Sequence, residues 1–258
     1  IPVVQLSYEF KGGYTADQGR TPGTASFAMN MLDEGAGGLG SLDFADRVES
    51  LGASIGAGAS LDGSNAYVSA LKENLDPTLA LFADMVRAPN FEQKEIDRIK
   101  ATWIAGIAQE KARPASVAMR VLPPLIYGAG HPYAIPFTGS GTEDAIAKLT
   151  RDELVAFHRD WVRPEGATLI VVGDTTLAEI VPMLEKHFGD WRGTGPAPQP
   201  VTVAEVARPD TARVFLIDQP GAVQANIFAA QVIAPTNDPT STRFDMANVV
   251  IGGDFTAR

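Results

Sequence analysis

The 258-residue sequence predicts an α+β fold, a mostly antiparallel sheet flanked by helices. Three observations carry that prediction. Val4, Leu6, Tyr8 and Phe10 alternate with Val3, Gln5, Ser7 and Glu9, the period of two that belongs to a strand with one polar face. Leu75, Leu79, Phe82 and Val86 recur at helical spacing, and so do Ile96, Ile99, Trp103 and Ile107, each set lying along one stripe. No segment of the chain repeats another, so the pattern is not that of a repeat array.

The elements follow in chain order. The strand at Val3–Phe10 ends at Gly12-Gly13, and a helix is expected over 22–34, with Pro22 in its first turn and Phe27, Met31 and Leu32 on one face. Gly35, Gly37, Gly38 and Gly40 break the chain, and Ser41 suits the N-cap of a helix from Leu42 to Leu51. Residues 52–63 are small and read as flexible, leading into a strand at Asn65–Leu71. The Leu75–Val86 helix stops at Pro89, and a longer one runs from Glu92 to Lys111. Five prolines make 114–136 a helix plus loop. Thr150-Arg151-Asp152-Glu153 is a capping-box start for a helix ending near Trp161. A buried strand is expected at Thr168–Val172, a helix over Thr176–His187, strands at Arg213–Asp218 and Gln224–Ala234, and a last helix over Ser241–Ile251.

Composition excludes several chemistries. There is no Cys, so disulfides and thiolate chemistry are ruled out and any metal would need His and carboxylates. The three histidines, His131, His158 and His187, are 27 and 29 residues apart, so no two share a helical turn. The net charge is −10 without a basic stripe, which argues against nucleic acid as a partner. No apolar run approaches the ~20 residues that cross a bilayer. Asp33 and Glu34 read as a solvated helix end, His131 as a structural residue of a Pro-rich turn, and Trp103 and Trp161 as core. His158 and His187 come late in helices, where a partly positive ring is favoured. The Gly-rich loop 35–40 lacks the following Lys of a phosphate cradle.

One segment points to a known family. Gly23-Thr-Ala-Ser-Phe-Ala-Met-Asn-Met-Leu-Asp-Glu-Gly35 resembles the helix bearing the inverted zinc motif H-x-x-E-H of the pitrilysin/insulinase (M16) metallopeptidases, with Gly23, Ala25, Phe27, Met31 and Gly35 as its surviving frame. Leu51-Gly52-Ala53, Asn65-Ala66-Tyr67, Asp84–Phe91, His131-Pro132-Tyr133, Val172-Gly173-Asp174 and Phe188-Gly189-Asp190-Trp191 follow in the family's order. On a helix, residues i and i+4 share a face, so two imidazoles there grip one ion, and the Glu between them takes a proton from bound water. Here the three positions hold Ser26, Met29 and Asn30, and the family's third ligand, a Glu, falls near Gly106, with Ala105 the neighbouring choice. Ser and Asn are poor zinc ligands, and Met is no base.

The resemblance therefore implies a catalytically inactive half with no cofactor of its own, zinc residing only in an active partner half in the same polypeptide or a separate subunit. In such proteins two halves enclose a chamber for a peptide substrate. Many of the large bacterial members are exported, so the periplasm is the expected compartment. A purely structural subunit, as in the complex III core proteins, is the alternative, and an enzyme with substrate contacts beyond Arg258 is a second. Family members hold substrate as an added strand on a sheet edge, for which the small segment Ala53–Ser60 is the candidate. The expected division is an M16-like domain over 1–192, a Pro/Gly-rich linker over 193–209, and the truncated start of a second M16-like domain over 210–258. The Ile1-Pro2 opening and the close on Gly252–Arg258 read as those of a piece of a longer polypeptide.

Overall fold

The structure, a computed structural model, describes residues 2–199 and 201–253. The alternation at the N-terminus makes β1 (Val3–Phe10), and it becomes an inner strand of a four-stranded sheet in the order β2-β3-β1-β4. Its neighbours β3 (Ser64–Leu71) and β4 (Thr168–Gly173) both run antiparallel to it, and β2 (Ser54–Ala59) runs antiparallel to β3. Leu6 sits opposite Val68 on one side and Val171 on the other. Because side chains alternate across a sheet, this register puts Val4, Leu6, Tyr8 and Phe10 with Ala66, Val68 and Ala70 on one buried face. The other face shows Gln5, Glu9, Tyr67, Ile170 and Val172 to solvent.

Helices cover the buried face. α1 (Thr24–Asn30) lies against β2, α3 (Leu75–Arg87) against β3 and α8 (Leu177–Phe188), and α7 (Arg151–Trp161) against α1. The stripe Leu75, Leu79, Phe82 and Val86 is buried to 2% exposure or less, and each such side chain contributes about 1.5–3 kcal/mol. Tyr8 joins sheet to helices, its ring packing on Phe82 and Phe188 and edge-on to Trp191. α4 (Gln93–Ala112) buries Ile96 and Ile107 fully and Ile99 and Trp103 in part. α2 (Ser41–Ser50), α5 (Pro114–Tyr127) and α6 (Glu143–Lys148) complete the layer, and α9 (Ser241–Asn248) lies in the C-terminal segment. Capping boxes at Thr150 and Thr176 start α7 and α8.

Several expectations change. The helix expected over 22–34 is only Thr24–Asn30, because Gly23 is left-handed (φ 96°) and shuts Pro22 out. Ser41 is the first residue of α2 rather than its N-cap, and its hydroxyl donates to the Glu34 carboxylate. Residues 52–63 are not merely flexible: β2 forms within them, paired to β3. β4 is a strand but not a buried one, since it is an edge with one face bare. Residues 213–218 and 224–234 form no strand. Val214, Leu216, Val223 and Ile227 stay more than 90% exposed, because an apolar run becomes a strand only when a ladder takes its backbone groups. Residues 254–258, which end the chain, lie outside the described residues, as do Ile1 and Pro200.

Candidate functional site

The motif helix is set in place by a residue well upstream of it. Asp17 closes a 3-10 turn, Tyr14–Asp17, and its carboxylate accepts the Gly23 N–H (2.8 Å) and the Ala25 N–H (2.9 Å). It satisfies donors that the first turn of α1 leaves free. Burial pushes Asp17 up to about 7, against the pull of the Ala25 and Gly23 amides and of Arg20. Nothing in the local pattern marks this residue, since its cap acts across six to eight residues of chain.

Ser26 and Asn30 are one turn apart on α1 and share a face. The Ser26 hydroxyl is buried with no hydrogen-bond partner, and the Tyr14 phenol lies beside it without meeting that geometry. Asn30 is exposed, whereas Met29 is at 0% exposure in the core. Phe27 packs on Trp103 with ring centroids 5.3 Å apart, which brings α1 to α4, and the Trp103 indole donates to the Ser140 carbonyl at 2.9 Å. Gly106, three residues along α4, is exposed with open space where a Cβ would stand, and Ala105 is exposed too. The four positions thus lie on two abutting helices with neutral groups throughout. Among the described residues no three His, Cys, Asp or Glu side chains converge as a metal group.

The histidines serve elsewhere. His131 accepts the Tyr133 N–H on Nδ1 (3.0 Å), donates from Nε2 to the Ala204 carbonyl (2.9 Å) and stacks on Tyr127. His158 donates to the Val86 carbonyl at 2.8 Å, and burial lowers its pKa, so the expected partly positive ring is instead held neutral. His187 meets the Asp76 carboxylate at 2.9 Å. Asp33 is exposed as expected, but Glu34 is not a solvated end: it accepts from Ser41 and pairs with Arg98. Trp161 is buried to 9% exposure, while Trp103 is only partly so.

Beside this constellation lies an edge. β2 pairs with β3 along one side only, and among the described residues no strand takes its other side. Its residues Ser54, Gly56, Ala57, Gly58 and Ala59 are small, and α1 packs against the strand.

Residues 2–128 match the family model described as Insulinase (Peptidase family M16), and residues 148–258 the one described as Peptidase M16 inactive domain. The chain is 25% identical over 154 residues to the non-peptidase homolog YmxG of Helicobacter pylori, across 60% of this chain and 35% of that protein. It resembles the crystal structure of a peptidase M16 inactive domain from Pseudomonas fluorescens with a TM-score of 0.73 and 30% identity, over 81% of this chain and 50% of that one. With the periplasmic protease PqqL from Escherichia coli it shares a fold, at TM-score 0.69 and 22% identity, over 78% of this chain and 22% of that one. The chain spans 35% to 49% of the length of four curated relatives it matches. No helix among the described residues is long and apolar enough to cross a membrane. With an M16 frame around Ser26, Met29, Asn30 and Gly106, and M16 models matched over both parts of its length, the chain belongs to the insulinase-type M16 peptidase family.

Proposed function

We propose that the chain is the inactive half of an M16 assembly, closing a peptide-holding chamber opposite a zinc-bearing half in the same polypeptide or a separate subunit. The observation that carries this reading is the pairing of a ligand-free motif helix with a free strand edge. Ser26, Met29 and Asn30 offer no metal chemistry, yet α1 still lies against β2, whose outer side has backbone groups to give and small side chains that let another chain approach. Zinc and bond cleavage belong to the other half; this half would hold extended peptide. The likeness in fold to a periplasmic protease supports an exported setting. The division into a domain over 1–192, a linker over 193–209 and a second domain beginning at 210 belongs to the same proposal.

Binding of extended peptides tests it. Adjacent residues of a strand direct their N–H groups to opposite sides. Of Ala57→Pro and Gly58→Pro, one therefore removes a donor from the free edge and the other breaks the ladder to β3. The edge variant is expected to keep its circular dichroism and melting point while losing peptide affinity about tenfold. Unchanged affinity in a folded edge variant would reduce this half to scaffold, as in the complex III core alternative.

A further inference from the structure

β2 leads to a cavity. Tyr14 N–H donates to the Ser60 carbonyl (2.9 Å) and Thr15 N–H to the Leu61 carbonyl (3.1 Å), so the turn that carries Asp17 is bonded to the end of the strand. Beyond that turn lies a cavity of about 240 Å³. Tyr14 and Pro22 wall one side, and Pro132, Ala134, Ile135 and Pro136 the other. The second wall is tied back to the strand as well, because the Tyr133 hydroxyl donates to Asp62, just past β2, at 2.9 Å. Gly139 (φ 66°) packs so closely on the Tyr14 ring that a Cβ there would collide with it, which holds the wall in a preset shape.

Two polar side chains of the lining, Asp17 and His131, are already engaged, and those of Tyr14, Thr15 and Gln18 add only neutral groups to the walls. Each Asp17 carboxylate oxygen takes a backbone N–H, and both His131 ring nitrogens are hydrogen-bonded, one to the Tyr133 N–H and the other to the Ala204 carbonyl. No Lys or Arg lines the cavity. A charged side chain entering it would give up water for walls that are largely apolar, whereas an apolar one gains by burial.

We infer that this cavity is a side-chain pocket for one large apolar residue, aromatic or long aliphatic, of a peptide laid along β2. The inference rests on the strand-edge reading above and adds a sequence preference to it. A side chain leaving the strand near Ser60 would drop between Tyr14 and Ile135, so the preference falls at a single position of the peptide.

Short fluorescein-labelled peptides of Thr and Ser, carrying one Phe, Leu, Lys or Ala at successive positions, test this by fluorescence anisotropy on the whole chain. Phe or Leu at one position should tighten binding about tenfold or more over Ala there, the gain of burying one apolar side chain. Ala134→Phe, which fills the cavity, should erase that gain without weakening the Ala peptide. Ile135→Ala, which enlarges it, should cut the Leu gain more than the Phe gain. Equal affinity for Phe and Ala peptides, a Phe gain that survives Ala134→Phe, or a preference for Lys would each overturn the assignment. Should no peptide bind, the strand-edge reading falls with it. Binding of p-cresol, lost in Ala134→Phe, would then show a small-molecule cavity and reject peptide as its occupant.

Discussion

Met29, where the family resemblance would put a general base, is at 0% exposure in the same apolar core as Phe27, Met31 and Leu32. A carboxylate there would be taken out of water without a cation, which costs about 3 kcal/mol or more, whereas Leu keeps volume and polarity and costs under about 1.5 kcal/mol. Urea unfolding of Met29→Glu and Met29→Leu should show that gap. Rebuilding the metal site meets the same barrier. His at 26 needs the Tyr14 ring to move aside, but Gly106→Glu enters open space. The combination Ser26→His, Met29→Glu, Asn30→His and Gly106→Glu should therefore bind zinc well beyond the same triple change without position 106, measured by competition with a chelator. Equal affinities, or a greater gain from Ala105→Glu, would misplace the third ligand. His158 supplies a pH signature. Its folded ring is held below the usual value of about 6.5, so under that pH the unfolded chain takes up a proton that the folded chain refuses, and stability is lost as pH falls through 6.5. Asp17 acts in the opposite sense, since its raised carboxyl holds its proton in the folded chain up to about 7. The stability difference between wild type and His158→Gln isolates the ring: wild type should lose ground to the variant between pH 7 and pH 5, and parallel curves would show a ring that titrates normally.

At the scale of elements, α1 and α7 lock together through groups that one local signal only half reveals. The capping box at Thr150 was legible, since Thr and Glu three residues apart satisfy each other's neighbouring amides. The second duty of Glu153, accepting the Thr21 hydroxyl just before α1, was not. Thr150→Ala should cost about 1 kcal/mol from the lost cap, read as a lower urea midpoint at unchanged slope. The strands divide the same way. β1 and β3 were plain in their alternation because one face of each is buried. β2 was hidden because Gly and Ala carry little apolar signal, and what makes it a strand is β3 beside it and α1 against it. Residues 213–218 and 224–234 show the converse, apolar runs without a ladder.

Among the described residues there is one core, running from β1 to Trp191, and their buried apolar side chains all fall within that span. Past it lie the exposed apolar side chains of 203–251, with α9 and a short π-type turn at Val249–Gly253 as the regular structure among the described residues. The proposed domain boundary in 193–209 is testable at this scale. Limited proteolysis should cut there first and leave a fragment ending near Arg192 that unfolds with the same urea midpoint as the whole chain. A first cut inside 114–136, or a fragment that cannot refold, would make the C-terminal segment part of the same unit.

The sequence by itself determined the family frame, the α+β class, the buried stripes of β1 and α3, and the non-ligating residue types at Ser26, Met29, Asn30 and Gly106 on which the proposal rests. All of these depend on residue identity and period, which are local. Only the tertiary structure decided that Asp17 caps α1, that Met29 is sealed in the core while Gly106 faces open space, that His158 is neutral, and that 52–63 contains an edge strand ending at a cavity. Each of those depends on which segments meet across tens of residues, because desolvation, ladder pairing and enclosure are properties of neighbours in space.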